Sequence, residues 1–290
     1  MTDQSNAEIY DRGYRVYDGP RTNTAAAMKS VFIASVQRAL GLRRKFRYKV
    51  APILTILIAF VPALIFVGIA IVIPGDLLGE QADYSGYLGL TGIAVLLFTA
   101  FVAPELMIND RRTGMFGLYM SSPLRKLHYL AAKVRALVSV MSLVTILPPL
   151  FLIVGYILVD VGPDGFGNIV ETIAKIFFSG FLVASFYALI GMAVATITNR
   201  QGVASAITIM FFLTSALLTN VLVNQAEAPD WVLAFSFVEL PVDVVARIFG
   251  EDVNQLTGLN TGTSVAVFVG VIVVSLATIW FGYQRIEVTK

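Results

Sequence analysis

His128 is the one histidine of the chain, and there is no cysteine. Nucleophilic or general-base catalysis needs a histidine, thiolate or carboxylate held against a facing partner. His128 stands instead beside the basic pair Arg125-Lys126, at the edge of an apolar run, and reads as an ordinary interfacial residue. No Gly-Lys-Ser or Gly-Lys-Thr occurs, so a phosphate-cradling loop of that type is absent and any ATP must be hydrolysed by another polypeptide. The lack of cysteine removes disulfides and thiolate metal sites. No catalytic, cofactor-binding or metal-binding residue is therefore assigned. The candidates for function are charges set against apolar sequence: Glu105, the step Asp110-Arg111-Arg112, and Arg125.

The elements carrying these charges are written in the composition. Of 290 residues 57% are hydrophobic and 14% charged, where a soluble domain carries about 25% charged residues. Lipid is the solvent this balance suits. Apolar runs of about 20 residues with at most one charge each, enough to cross a hydrocarbon core of about 30 Å, recur over 50–73, 87–108, 134–159, 172–198, 203–223 and 264–283. The fold class expected is an all-α integral membrane protein of six spans. Pro52, Pro62, Pro104, Pro148 and Pro149 fall inside spans and predict kinks rather than breaks. Residues 1–23 form a polar tail without apolar periodicity, and the first apolar run lies too far from the start for a cleavable signal peptide. Over 24–49, Met28, Phe32, Val36 and Ala39 share one helical face, followed by the basic cluster Arg43, Arg44, Lys45, Arg47 and Lys49. This pattern predicts a helix at the membrane interface with cations placed for anionic lipid phosphates.

Orientation follows from the 21 lysines and arginines. Threading six spans puts all of them except Lys175 and Arg247 on the side of the amino terminus, which predicts that both termini face the cytoplasm of a cell membrane. Two links exceed simple turns. The link 109–133 contains Gly114-Met115-Phe116-Gly117-Leu118-Tyr119-Met120, a short amphipathic helix ended near Pro123. The link 224–263 is apolar but interrupted by Glu239, Pro241, Asp243 and Arg247, so it reads as two short external helices re-entering the outer leaflet rather than a seventh span.

The stretch Ala103-Pro104-Glu105-Leu106-Met107-Ile108-Asn109-Asp110-Arg111-Arg112-Thr113-Gly114, then Ser122-Pro123-Leu124 and Lys133, resembles the signature region of the type-2 ATP-binding-cassette (ABC) exporter permeases. The resemblance extends to the order of elements. One departure stands out: Gly117 occupies the place where many relatives carry a glutamate. The resemblance implies that the segment from Asp110 to Lys126 is a coupling helix in a cleft of a cytosolic ABC ATPase subunit. On that reading Asp110, Arg111, Arg112, Phe116, Tyr119 and Arg125 form an exposed basic and aromatic contact surface; the plainer reading has the arginines bind lipid headgroups and fix topology. ATP and Mg would be bound by the partner, and a second permease copy would complete the unit. Membrane lipids are expected partners and nucleic acid is not.

In the fifth span Ser205, Thr208, Phe212, Ser215 and Thr219 lie along one stripe, and in the second Thr91, Phe98, Val102 and Glu105 share a face. Relatives line the path between two permease copies with these helices, so one expectation is a weakly polar route for an amphipathic or lipid-like substrate. The other is that small hydroxyl residues glue the helices together. Glu105 is read as an ion-pair partner of Arg111, Arg112 or Lys133 rather than a recruiter of cationic substrate. The function expected is the permease subunit of an ATP-driven exporter; the alternatives are a secondary transporter driven by an ion gradient and a membrane scaffold. A secondary transporter would show a carboxylate near the bilayer midplane or paired broken helices, and neither is evident.

Overall fold

A computed structural model describes residues 23–42, 45–72, 84–251 and 259–285. Residues 1–22, Arg43, Arg44, the link 73–83, 252–258 and 286–290 lie outside the described residues. Every regular element among them is helical: α1 Thr24–Ala39, α2 Arg47–Val72, α3 Tyr84–Arg112, α4 Met115–Met120, α5 Lys126–Leu158, α6 Gly165–Ile197, α7 Gln201–Asn224, a 3-10 turn Asp230–Phe235, α8 Glu239–Phe249 and α9 Thr261–Gln284. Six of them, α2, α3, α5, α6, α7 and α9, are long and apolar enough to cross a membrane.

These six match the expected spans, with differences at the ends. Helix α3 continues through Asp110–Arg112, and α5 begins eight residues before the apolar run it carries, at Lys126. Hydropathy marks only the lipid-exposed length, whereas a helix persists wherever its charged ends find partners. All five in-span prolines lie inside unbroken helices. Near the start of α2, the Thr55 hydroxyl donates back to the carbonyls of Ala51 and Pro52, one turn earlier in its own helix.

Helices α3, α5 and α6 form the centre and α2, α7 and α9 the flanks. The centre is close-packed because small residues let backbones approach. A Cβ added at Gly191 of α6 would stand 2.5 Å from Thr99 Cγ2 and 2.9 Å from Ala103 Cβ of α3. At Gly180 the Thr145 hydroxyl of α5 crosses to donate to the Gly180 carbonyl at 2.7 Å. The flanking helices turn Leu57, Leu64 and Ile65 of α2, Leu217 and Leu218 of α7, and Val273 and Val274 of α9 outward, which is the expected arrangement when the surrounding solvent is lipid.

The two ends of the bundle differ. At one end, Lys126 Nζ donates to the Gln284 carbonyl and Tyr283 Oη to the Met107 carbonyl, joining α5 to α9 and α9 to α3. Helices α1 and α4 cover this end: Val31, Ser35 and Ala39 of α1 are buried, with Met28, Phe32 and Val36 partly so. At the other end, the link after α7 folds back into the bundle. The Phe237 N–H donates to Ser215 Oγ of α7 at 3.3 Å, and Phe237 stacks on Phe211 at 5.1 Å. Helix α8 buries Leu240, Pro241, Val244 and Val245; its Asp243 is sealed from solvent and holds Arg247, which also donates to the Leu259 carbonyl and the Thr261 hydroxyl at the start of α9.

Candidate functional site

The end covered by α1 and α4 is built around a carboxylate. Asp110, on the last turn of α3, is fully buried. Its Oδ1 accepts from Arg38 Nη1 of α1, and its Oδ2 from Lys133 Nζ of α5 at 2.6 Å and from Tyr129 Oη at 2.9 Å. Lys133 is 1% exposed and donates also to the Leu106 carbonyl at 3.2 Å. One acid thus compensates two bases drawn from two other helices, with tyrosine supplying a further donor. Burial of the Arg38 guanidinium works to lower its pKa, and Asp110 outweighs this by charge and hydrogen bonding, so the group stands above its ordinary value. Burial first, and then the Asp110 charge, raise the Tyr119 phenol.

Arg111 points elsewhere. Its guanidinium reaches the C-terminal end of α6, donating to the carbonyls of Ala195, Thr196 (3.0 Å) and Thr198 (2.9 Å). The last carbonyls of a helix have no partner within it, and a cation there also meets the negative end of the helix dipole. The guanidinium lies 5.7 Å from the centre of the Tyr283 ring.

Helix α4 rests on this charged layer. Gly114 turns the chain out of α3 at φ 71°, a left-handed conformation that suits glycine. The turn directs Phe116 inward, where its ring meets Tyr129 at 5.3 Å and Tyr283 at 5.7 Å, and Tyr119 meets Tyr129 at 5.6 Å. On the other side Leu118 is 65% exposed, and Arg112 and Arg125 are exposed at the two ends of the α4 segment.

The expected exposed surface of six residues is therefore divided. Asp110 and Phe116 are buried, Arg111 caps α6, Tyr119 is half-buried, and only Arg112 and Arg125 are open. The physical reason is that an acid and an arginine at the end of a helix gain more from buried countercharges and unpaired carbonyls than from water. Leu118 was missed: an apolar residue two positions after an inward Phe116 on a short helix must face away, and that spacing was its available signal. Glu105, one turn before Asn109, accepts from Gln201 Nε2 of α7 at 3.0 Å. Of the three bases expected beside it, Lys133 also bonds Asp110 and Arg111 bonds the end of α6, while the Glu105 charge acts on both Lys133 and Arg38. His128 is half-buried on the first turn of α5, and its Nδ1 has no hydrogen-bond partner among the described residues.

The expected path faces lie inside the protomer. Phe98, Thr208 and Phe212 are fully buried, Thr91 and Thr219 nearly so, and Ser215 partly. Thr91, Thr208 and Thr219 donate to carbonyls of their own helices. Ser215 donates to the Phe212 carbonyl while it accepts from Phe237, and Phe212 stacks on Tyr187 of α6 at 4.8 Å. These stripes join α3 and α7 to the rest of the bundle within the protomer. The exposed stripe of α3 is the neighbouring one, Leu90, Ile93 and Phe101, and that of α7 includes Ile207, Met210 and Leu217.

No curated protein matches the chain. A family model, described as ABC-2 type transporter, matches residues 30–249, from within α1 to the end of α8. The match thus includes the Asp110 cluster, α4 and five of the six long apolar helices, over more than half of the chain. With six helices able to cross a membrane and a match of that extent, the chain belongs to the ABC-2 type transporter family and is a membrane-spanning permease.

Proposed function

We propose that the chain is the permease subunit of an ATP-driven exporter, coupled through α4 to a separate cytosolic ATPase and paired with a second permease copy. The observation that carries this reading is the two-sidedness of α4. Its outer face offers Leu118 between exposed Arg112 and Arg125, an apolar anchor with flanking cations. Its inner face, through Phe116, is packed against Tyr129 and Tyr283 and hence against the charge cluster joining α1, α3 and α5. A partner that displaces α4 acts on the ends of three long helices, α3 through the chain and α5 and α9 through the rings that Phe116 touches. That is the mechanical requirement for converting closure of an ATPase into a change in the spans. The family supports it from a second side, because an ABC permease needs a nucleotide-binding partner and this sequence has no phosphate loop.

Under this proposal the α1/α4 end faces the cytoplasm, in keeping with the bias of lysine and arginine, and the α8 end faces outward. The substrate is amphipathic or lipid-like, because the outward surfaces of α3 and α7 available to line a path between two copies are hydrocarbon: Leu90, Ile93, Phe101, Ile207 and Met210. Two copies are needed because the long helices of one protomer pack around a closed centre. The expectation for the path is specific to a face. A photoreactive side chain at Phe101 or Met210 crosslinks a transported amphiphile or the second permease copy, and one at Phe98 or Phe212 crosslinks only within the protomer. Equal substrate labelling from Phe98 would return the path to the buried stripe.

The function itself is tested by purification from the native membrane. A nucleotide-hydrolysing subunit should accompany the chain, and uptake into everted vesicles should require ATP. Uptake that follows an imposed ion gradient without ATP would support the secondary-transporter reading and overturn this one.

A further inference from the structure

Between α1 and α5 lies an open cavity of about 240 Å³ lined by Ala25, Met28, Lys29, Phe32, Ala132 and Arg135. Two of its six lining residues are cations and none is an acid. Among the described residues neither Lys29 nor Arg135 is in an ion pair, whereas the nearby bases Arg38 and Lys133 are both committed to Asp110. The remaining wall is hydrocarbon from Met28 and Phe32 with two alanine methyls.

The level of this cavity follows from α5. Arg135 is the last charge before the uncharged stretch Ala136–Leu158, which at 1.5 Å per residue is about 34 Å of helix. That length is close to the hydrocarbon thickness of a bilayer of about 30 Å. Arg135 therefore stands where hydrocarbon gives way to headgroups, and Lys29 faces the same opening from α1. A cation pair at that depth, beside an apolar wall, meets a phosphate attached to an acyl glycerol. A free phosphate would match the two cations and leave Met28 and Phe32 against water. We propose that this cavity binds an anionic phospholipid of the adjacent leaflet, its phosphate between Lys29 and Arg135 and its glycerol region against Met28 and Phe32. The lipid would bridge α1 to α5 beside the Asp110 cluster, so the anchoring of α1 would depend on the membrane's anionic lipid. This inference rests on the chain spanning a membrane and is independent of what it transports.

The test uses the full-length chain, purified and exchanged into mixed micelles with phosphatidylglycerol or phosphatidylcholine, with the most tightly retained lipid measured by native mass spectrometry. An interfacial cation contributes about a five-fold preference for anionic lipid, so Lys29→Gln with Arg135→Gln should lower the phosphatidylglycerol preference about thirty-fold. The charge-preserving pair Lys29→Arg with Arg135→Lys should keep most of it, and Arg285→Gln should not change it. Should the double variant not fold, each single glutamine variant gives its own five-fold expectation. Equal retention of the two lipids by the wild type, an unchanged preference in the glutamine variants, or displacement of phosphatidylglycerol by millimolar inorganic phosphate would each overturn the proposal.

Discussion

Asp110→Ala should destabilise the folded permease by about 3–5 kcal/mol, the cost of breaking a buried ion pair and leaving the opposite charge uncompensated. Asp110 is fully buried and Lys133 is 1% exposed, so the ammonium that remains cannot turn to water. Arg38 is less affected, since its side chain is 18% exposed and can reach solvent. Asp110→Asn should recover little, because an amide can still accept from Tyr129 but neutralises neither base. The informative companion is Asp110→Asn with Lys133→Met. It removes both buried charges at similar volume, and replacing a buried pair by neutral groups is often close to neutral in stability. A lowered thermal midpoint and loss of monodispersity in detergent for Asp110→Ala, largely restored in the double variant, is the expected pattern. A wild-type midpoint for Asp110→Ala would mean that the cluster is hydrated and holds nothing together.

Leu118→Asp should act on assembly and leave the fold intact. The side chain is 65% exposed and flanked by open Arg112 and Arg125, so an aspartate there costs the isolated chain little. In the proposed complex the same change puts a carboxylate into the apolar centre of an interface. Central anchors of that kind contribute at least about 2 kcal/mol, or roughly thirty-fold in affinity. ATPase recovery on purification and ATP-dependent transport should both fall by that order, with the thermal midpoint unchanged. Phe116→Ala should behave the opposite way, lowering the midpoint first because its ring packs on Tyr129 and Tyr283. If Leu118→Asp assembled normally, contact with the ATPase would have to be sought away from α4.

How much of this was legible in the sequence depended on the kind of signal. Six spans were readable because each is a long apolar run with at most one charge, and the link after α7 could be refused as a span because Glu239, Asp243 and Arg247 interrupt it. The structure gives two of those charges a partner in each other, Asp243 with Arg247. The function of the charged step after Glu105 was less legible. Asp110 and Arg111 are adjacent, yet one pairs with α1 and α5 and the other with α6, and adjacency in sequence cannot reveal which distant helix each will meet. Lys133 was visible as a base opening a span, but its burial depends on Asp110 arriving from another helix. Which face of α3 packs inward was not legible for a related reason. A helix apolar all round carries no phase, so Thr91 and Phe98 could not be separated by pattern from Leu90 and Ile93. The outward face of α4 needed one further fact, the inward turn set by Gly114.

The most direct measurement exploits the absence of cysteine from the chain. Leu118→Cys introduces a single thiol on the outer face of α4, against no background, and a membrane-impermeant maleimide reports which compartment it faces. Labelling should occur in everted vesicles stripped of peripheral subunits, be blocked when the ATPase is restored, and be absent in intact cells. Rapid labelling in intact cells would place α4 on the outer surface, beyond the reach of a cytosolic ATPase, and would contradict the coupling mechanism outright.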